Sequence, residues 1–184
     1  DGGSEDSTAI LSAPLADQVL ATRRGRAVQM NAGAAAAKGE ALLFLHADTR
    51  LPAQAENLVS AALGESAWGR FDVVIEGRSR LLALVASSMN LRSRLTGIAT
   101  GDQAIFARRE AFSRAGGFPE IALMEDIAFS KRMKTLSRPA CLRERVATSA
   151  RRWEANGVLR TIVLMWRLRL AYFLGARPEE LARR

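Results

Sequence analysis

Apolar positions fall into short runs and helical stripes that alternate along the chain. Ala41 to Leu45 is an unbroken apolar run ending abruptly in His46-Ala47-Asp48, with Pro52 closing the loop that follows. Such a run reads as a strand buried on both faces of a parallel sheet. Phe71 to Glu76 alternates and is rich in β-formers, which predicts a second strand. Gln18 to Thr22, Gln103 to Ala107 and Ala140 to Thr148 are shorter candidates. The alanine content of Ala27 to Lys38 predicts a helix, with Gly39 as its cap. Arg80 to Leu95 is amphipathic, with Leu81, Leu84, Val85, Ser88 and Leu91 on one face. Further helices are predicted over Glu5 to Ser12, Ala53 to Leu63, Arg109 to Ala115, Met124 to Leu136 and Asn156 to Leu174. Strands alternating with helices predict an α/β architecture. The first residues read as a strand-to-helix turn, so a strand and helix are expected to precede them.

At 184 residues and 48% hydrophobic, the chain can build one domain with a real core. A single cysteine, Cys141, excludes an internal disulfide framework and reads as a core residue of its strand. A single histidine excludes a clustered structural zinc site. The net charge is +8, and residues 138 to 184 alone hold eleven Arg against four acidic residues. Basic charge raises nucleic-acid binding, but no recognisable nucleic-acid motif accompanies it, so that partner is disfavoured. The last helix carries Arg160, Arg167 and Arg169, which argues against a membrane span. It fits a helix packed on the domain, on a second copy, or in a membrane surface. No signal peptide precedes the first motif, and the simplest placement is the cytoplasm, with contact at the inner membrane face as an option.

Candidate chemistry lies at the ends of these elements. Ligands in open α/β sheets bind beyond the carboxyl ends of strands, so Asp48 reads either as a metal or phosphate site or as the cap of the helix near Pro52-Ala53. Asp1-Gly2-Gly3-Ser4 is a tight turn before a helix, suited to an anion but equally an ordinary surface turn. Glu125 and Asp126 open a helix and would satisfy its N-terminus. Gly101-Asp102 holds a ligand or simply makes a turn. Arg152-Trp153 grips a diphosphate and stacks on a sugar, or is an Arg resting on a Trp face.

Taken in order, Asp1-Gly2-Gly3-Ser4, Gly25-Arg26-Ala27 with Asn31-Ala32-Gly33, His46-Ala47-Asp48, Gly101-Asp102-Gln103, Met124-Glu125-Asp126 and Arg152-Trp153 resemble family 2 glycosyltransferases of the GT-A fold. The set looks most like the bacterial arsenosugar-biosynthesis or radical-SAM/selenodomain-associated subgroup. The resemblance implies a mostly parallel, Rossmann-like sheet with a nucleotide-sugar half over residues 1–77 and an acceptor half over 78–155. Residues 156–184 would form a C-terminal amphipathic helix and basic tail. It implies that Asp1, Gly2, Gly25, Arg26, Asn31, Ala47 and Asp48 border the sugar nucleotide, with Arg152 and Trp153. Asp48, with His46 in the place of a first aspartate, would hold Mg²⁺ or Mn²⁺ on the diphosphate. Asp126 would be the general base of an inverting transfer, beside Glu125, and Gly101 and Asp102 would meet the acceptor. His46 and Ser149 depart from the family pattern, and Ser149 argues against a processive polymerase.

Glycosyl transfer needs a neutralised leaving diphosphate, a base at the acceptor hydroxyl and alignment of the two. A nucleotidyltransferase is the main rival, but it needs a second metal carboxylate where His46 stands. A basic scaffold that binds membrane or nucleic acid without catalysis is the rival from another class. A dehydrogenase is disfavoured, since no Gly-x-Gly-x-x-Gly follows a strand.

Overall fold

In the computed structural model, which describes residues 1–183, the strands are β1 (Ala41–Leu43), β2 (Thr49–Arg50), β3 (Trp68–Glu76), β4 (Phe106–Arg108) and β5 (Ala140–Ser149). The helices are α1 (Thr8–Ser12), α2 (Arg26–Ala36), α3 (Ala55–Glu65), α4 (Leu81–Thr96), α5 (Arg109–Arg114), α6 (Glu125–Lys134), α7 (Arg151–Asn156), α8 (Val158–Phe173) and α9 (Pro178–Leu181). The chain is α/β, as its alternating pattern predicts.

The sheet is mixed, in the order β1-β4-β3-β5-β2. Only β3 and β5 are hydrogen-bonded in parallel, with Val73 opposite Val146; the other three pairings are antiparallel. This corrects the expected mostly parallel sheet. An apolar run reports burial and not direction, so a strand as short as β4 reads the same either way. A second correction concerns Ala41 to Leu45. Here β1 stops at Leu43, lies at the sheet edge, and leaves Leu43 and Leu45 exposed. Gln18 to Thr22 joins no sheet. It runs extended beside Asp1, whose carbonyl accepts from the Thr22 amide at 2.8 Å and whose amino group donates to the Leu20 carbonyl at 2.6 Å.

Period-two alternation divides the core between the two sheet faces. Phe71, Val73 and Ile75 of β3 pack with Phe106, Val146, Leu82, Ala86, Met89 and Trp153. On the other face Trp68, Ile105 and Ala107 meet Leu42 and residues of α2, α5 and α6. Phe118 and Phe129 stack there at 4.2 Å, and Phe112 tilts against both. α2 ends at Ala36, before Gly39. The Arg109 guanidinium donates to the carbonyls of Ala34, Ala37 and Gly39, satisfying that helix end from α5.

Gly157, at φ 81°, separates α7 from α8. On α8, Val158, Ile162 and Met165 pack onto the core at helical spacing, and Arg169 is the next position of that stripe. The opposite stripe, Leu159, Val163, Trp166, Leu170 and Phe173, is exposed, with Trp166 at 75% and Phe173 at 80%. Among the described residues no helix is long and apolar enough to cross a membrane.

Candidate active site

Gly101 is where the separate motifs meet. It opens a 3-10 turn, Gly101–Gln103, after α4, and its amide donates to Asp126 Oδ2 at 3.1 Å. The other oxygen of Asp126 accepts from the Ile127 amide at 2.7 Å. The His46 ring lies on the Gly101 Cα, where a Cβ would fall 2.6 Å from its Cε1. Only glycine admits the ring at that distance. The first turn of α6 thus carries Asp126 to the turn that underlies the loop after β1.

His46 Nδ1 is 3.3 Å from Asp102 Oδ1. Asp102's hydrogen bond and charge, helped by Asp48, hold the imidazolium above its usual pKa against burial and Arg26. Burial pushes the Asp102 carboxyl upward, but His46, Arg26 and Arg152 outweigh it and hold it below the usual carboxylate range. The sign follows for each partner. His46, raised, stabilises the fold below its unfolded value of about 6.5 and loses that stability as pH rises through its folded value. Asp102, lowered, contributes above about pH 3.8 and loses it as pH falls through the folded value. Melting temperature in the wild type is therefore expected to fall, relative to His46→Gln, as pH is raised from about 6 to 8.5. Parallel melting curves for the two proteins over that range would remove the pair.

Arg26, the first residue of α2, places Nε 2.8 Å from Glu125 Oε1. Glu125 is only 3% exposed, and its burial pushes the carboxyl up while Arg26 opposes the shift. Glu125, expected beside the base, is thus committed to an ion pair that joins α2 to α6. The residue before it, Met124, has φ 70°, and Ala104, just after the Gly101 turn, has φ 46°. Left-handed backbone at two non-glycine positions flanking one cluster is strain of the kind that functional sites hold.

Asp48 is exposed and is not a helix cap, because α3 begins at Ala55 behind Gln54. Its carbonyl accepts from the Ser149 amide at 3.2 Å, which anchors the loop to β5, and Ala47 beside it is exposed. Among the described residues its carboxylate has only a long contact, 3.4 Å, from the Thr49 hydroxyl, and offers a hard oxygen ligand. His46 was expected to share a cation with it. The His46 Nδ1 faces Asp102 and its Nε2 packs against Gly101. Among the described residues no three His, Cys, Asp or Glu side chains are grouped to hold a metal.

Other expected residues take supporting places. Gly2 packs against the Gln29 side chain on the first turns of α2, and Gly25, at φ 142°, caps that helix. Asp1 accepts from the amides of Gly3 and Ser4 at 2.9 Å, closing the glycine turn on itself. Asn31, expected at the nucleotide, uses both ends of its amide on the Phe118 backbone. Arg152 is exposed with its charge felt at Asp102, whereas Trp153, expected to stack on a sugar, is packed into the core. Cys141 is half-buried in β5.

Two arginines went unremarked as site residues in the sequence. The charge of Asp126 is felt at both Arg92 of α4 and Arg169 of α8. The readable signal was an arginine continuing an inward stripe: Val85, Met89, Arg92 on α4 and Ile162, Met165, Arg169 on α8. A separate open groove of about 1080 Å³ lies between β1 and α3, lined by Leu43, Leu51, Val59 and Leu63 among others. Neither Asp48 nor Asp126 lines it, so the groove and the titratable cluster are separate features.

No family model matches the chain, and no curated protein matches it.

Proposed function

We propose that the protein transfers a sugar from a nucleoside-diphosphate sugar to an acceptor hydroxyl, in the manner of the family 2 glycosyltransferases of GT-A fold that its motifs resemble. The observation that carries the reading is the convergence on Gly101 of Asp126, His46 and Asp102, with Arg26 and Asp48 at its border. These groups come from distant parts of the chain, and no single secondary-structure element requires them to meet.

Asp126 is the base in this reading. Its two oxygens are oriented by the amides of Gly101 and Ile127, and each keeps a further lone pair for an acceptor proton. Asp48 offers a carboxylate suited to a divalent cation, and Mg²⁺ or Mn²⁺ would complete its shell from diphosphate and water. Bound there, the ion neutralises charge on the leaving diphosphate. Arg26 and Arg152 add positive charge on the same side, through Asp102. The exposed apolar stripe of α8, which holds Arg160 and Arg167 and no acidic residue, supports attachment to an anionic membrane surface. A nucleotidyltransferase is less well supported, since His46 supplies no second metal carboxylate.

The test is a thermal shift with UDP or GDP. The nucleotide is expected to raise the melting temperature only with Mn²⁺ or Mg²⁺ present, and Asp48→Ala is expected to abolish the rise. A shift independent of metal, or unchanged in Asp48→Ala, would overturn the metal assignment. Release of free nucleoside diphosphate across a panel of sugar nucleotides then identifies the donor.

A further inference from the structure

Arg92 carries an unmet demand. Its Nε and Nη2 are buried and have no hydrogen-bond partner among the described residues. Arg169, half-buried on α8, makes no ion pair or hydrogen bond there either, yet it lies close enough for the two charges to oppose each other. Burial, then Arg169, depress Arg92 to about 10, and burial depresses Arg169. A guanidinium is planar, strongly charged and matched in shape to a phosphate or carboxylate. Two of them brought together by packed helices, with buried donors unused, are costly for the fold alone and suited to a missing anion.

The pair stands on α4 and α8, whereas Arg26 stands on α2 and Arg152 on α7. The charges of Arg26 and Arg152 are both felt at Asp102, and that of Arg26 also at His46. Arg92 and Arg169 both feel the charge of Asp126, and Arg169 also that of Asp102. We infer that Arg92 and Arg169 form a second anion site, which holds a phosphate or carboxylate group of the acceptor and sets its hydroxyl against Asp126. Anion binding by the pair needs no assumption about the reaction; assigning the anion to the acceptor rests on the glycosyl-transfer reading.

The experiment measures melting temperature with inorganic phosphate, and separately with malonate, against chloride at matched ionic strength. Wild type, Arg92→Met and Arg169→Gln are compared, and the UDP–Mn²⁺ shift is recorded for each. At least one anion is expected to raise the wild-type melting temperature by several degrees, and both variants are expected to lose the rise. Both should keep the UDP–Mn²⁺ shift, and ligand-free Arg92→Met should melt at or above the wild-type temperature. No rise in wild type with either anion overturns the proposal, as does an equal rise in the variants. Loss of the UDP–Mn²⁺ shift in both variants also overturns it, by giving the arginines to the donor. If Arg92→Met does not fold, Arg169→Gln carries the test. A wild type that answers to the anion but not to UDP–Mn²⁺ would fail the glycosyl-transfer reading and leave the anion site standing.

Discussion

Under the proposed glycosyl-transfer reading, replacing Asp126 by Asn is expected to lower transfer by about 10²–10⁴-fold, the usual contribution of a positioned general base. The amide is nearly isosteric, so position is kept while the proton-accepting charge is lost. One side-chain oxygen remains to accept from Gly101 or Ile127, but the amide NH₂ then faces the other N–H. A stability loss of about 1–2 kcal/mol should follow from that one mismatched bond. The discriminating measurement is therefore kcat, with the metal-dependent UDP shift as a check on the donor site. Turnover within a few-fold of wild type would remove Asp126 from the mechanism. A lost UDP shift would mean that the substitution had disturbed the donor side, and that the kinetic result does not isolate the base.

Arg70→Met should produce the largest loss of stability. Arg70 is 0% exposed and forms an ion pair with Asp72, donates through Nε to Ser93 Oγ at 3.0 Å, and reaches the Asn90 carbonyl at 3.3 Å. Removing one partner of a buried pair leaves the other charge uncompensated, at about 3–5 kcal/mol. Arg94 also reaches Asp72, at 2.7 Å, which softens the loss toward the lower figure. At roughly 2–4 °C per kcal/mol for a domain of this size, the melting temperature should fall on the order of 10 °C. The double variant Arg70→Met, Asp72→Asn should recover part of that fall, because the stranded charge is gone. If the single substitution leaves the melting temperature unchanged, the network does not hold β3 to α4. The same network matters to the site, because it fixes the helix that carries Arg92.

The arrangement of the cluster explains why its members read so differently in sequence. His46-Ala47-Asp48 and Met124-Glu125-Asp126 stand out because polar groups break off at the ends of apolar segments. Their partners do not stand out. Gly101 looks like any turn glycine until His46 is seen lying on its Cα. Glu125 and Asp126 are adjacent and look equivalent, yet one is tied to Arg26 in the interior and the other is held by two backbone amides. Trp153 looks like a stacking platform beside an arginine, and burial alone assigns it to the core. Asn31 looks like a polar ligand on a helix and is a strut for the Phe118 loop.

Local chemistry determined what is local. Alternation, helix-forming composition and glycine breaks marked most of the helices and strands within a few residues, and with them the α/β class, because these depend on neighbours a few positions away. Strand direction, the edge position of β1, the pairing of Arg26 with Glu125, and the burial of Arg92 without a partner among the described residues were decided only by the tertiary structure. Those features depend on which distant segments share a sheet or a helix face, and on how much charge their packing leaves out of water. Neither quantity is a property of any one stretch of sequence.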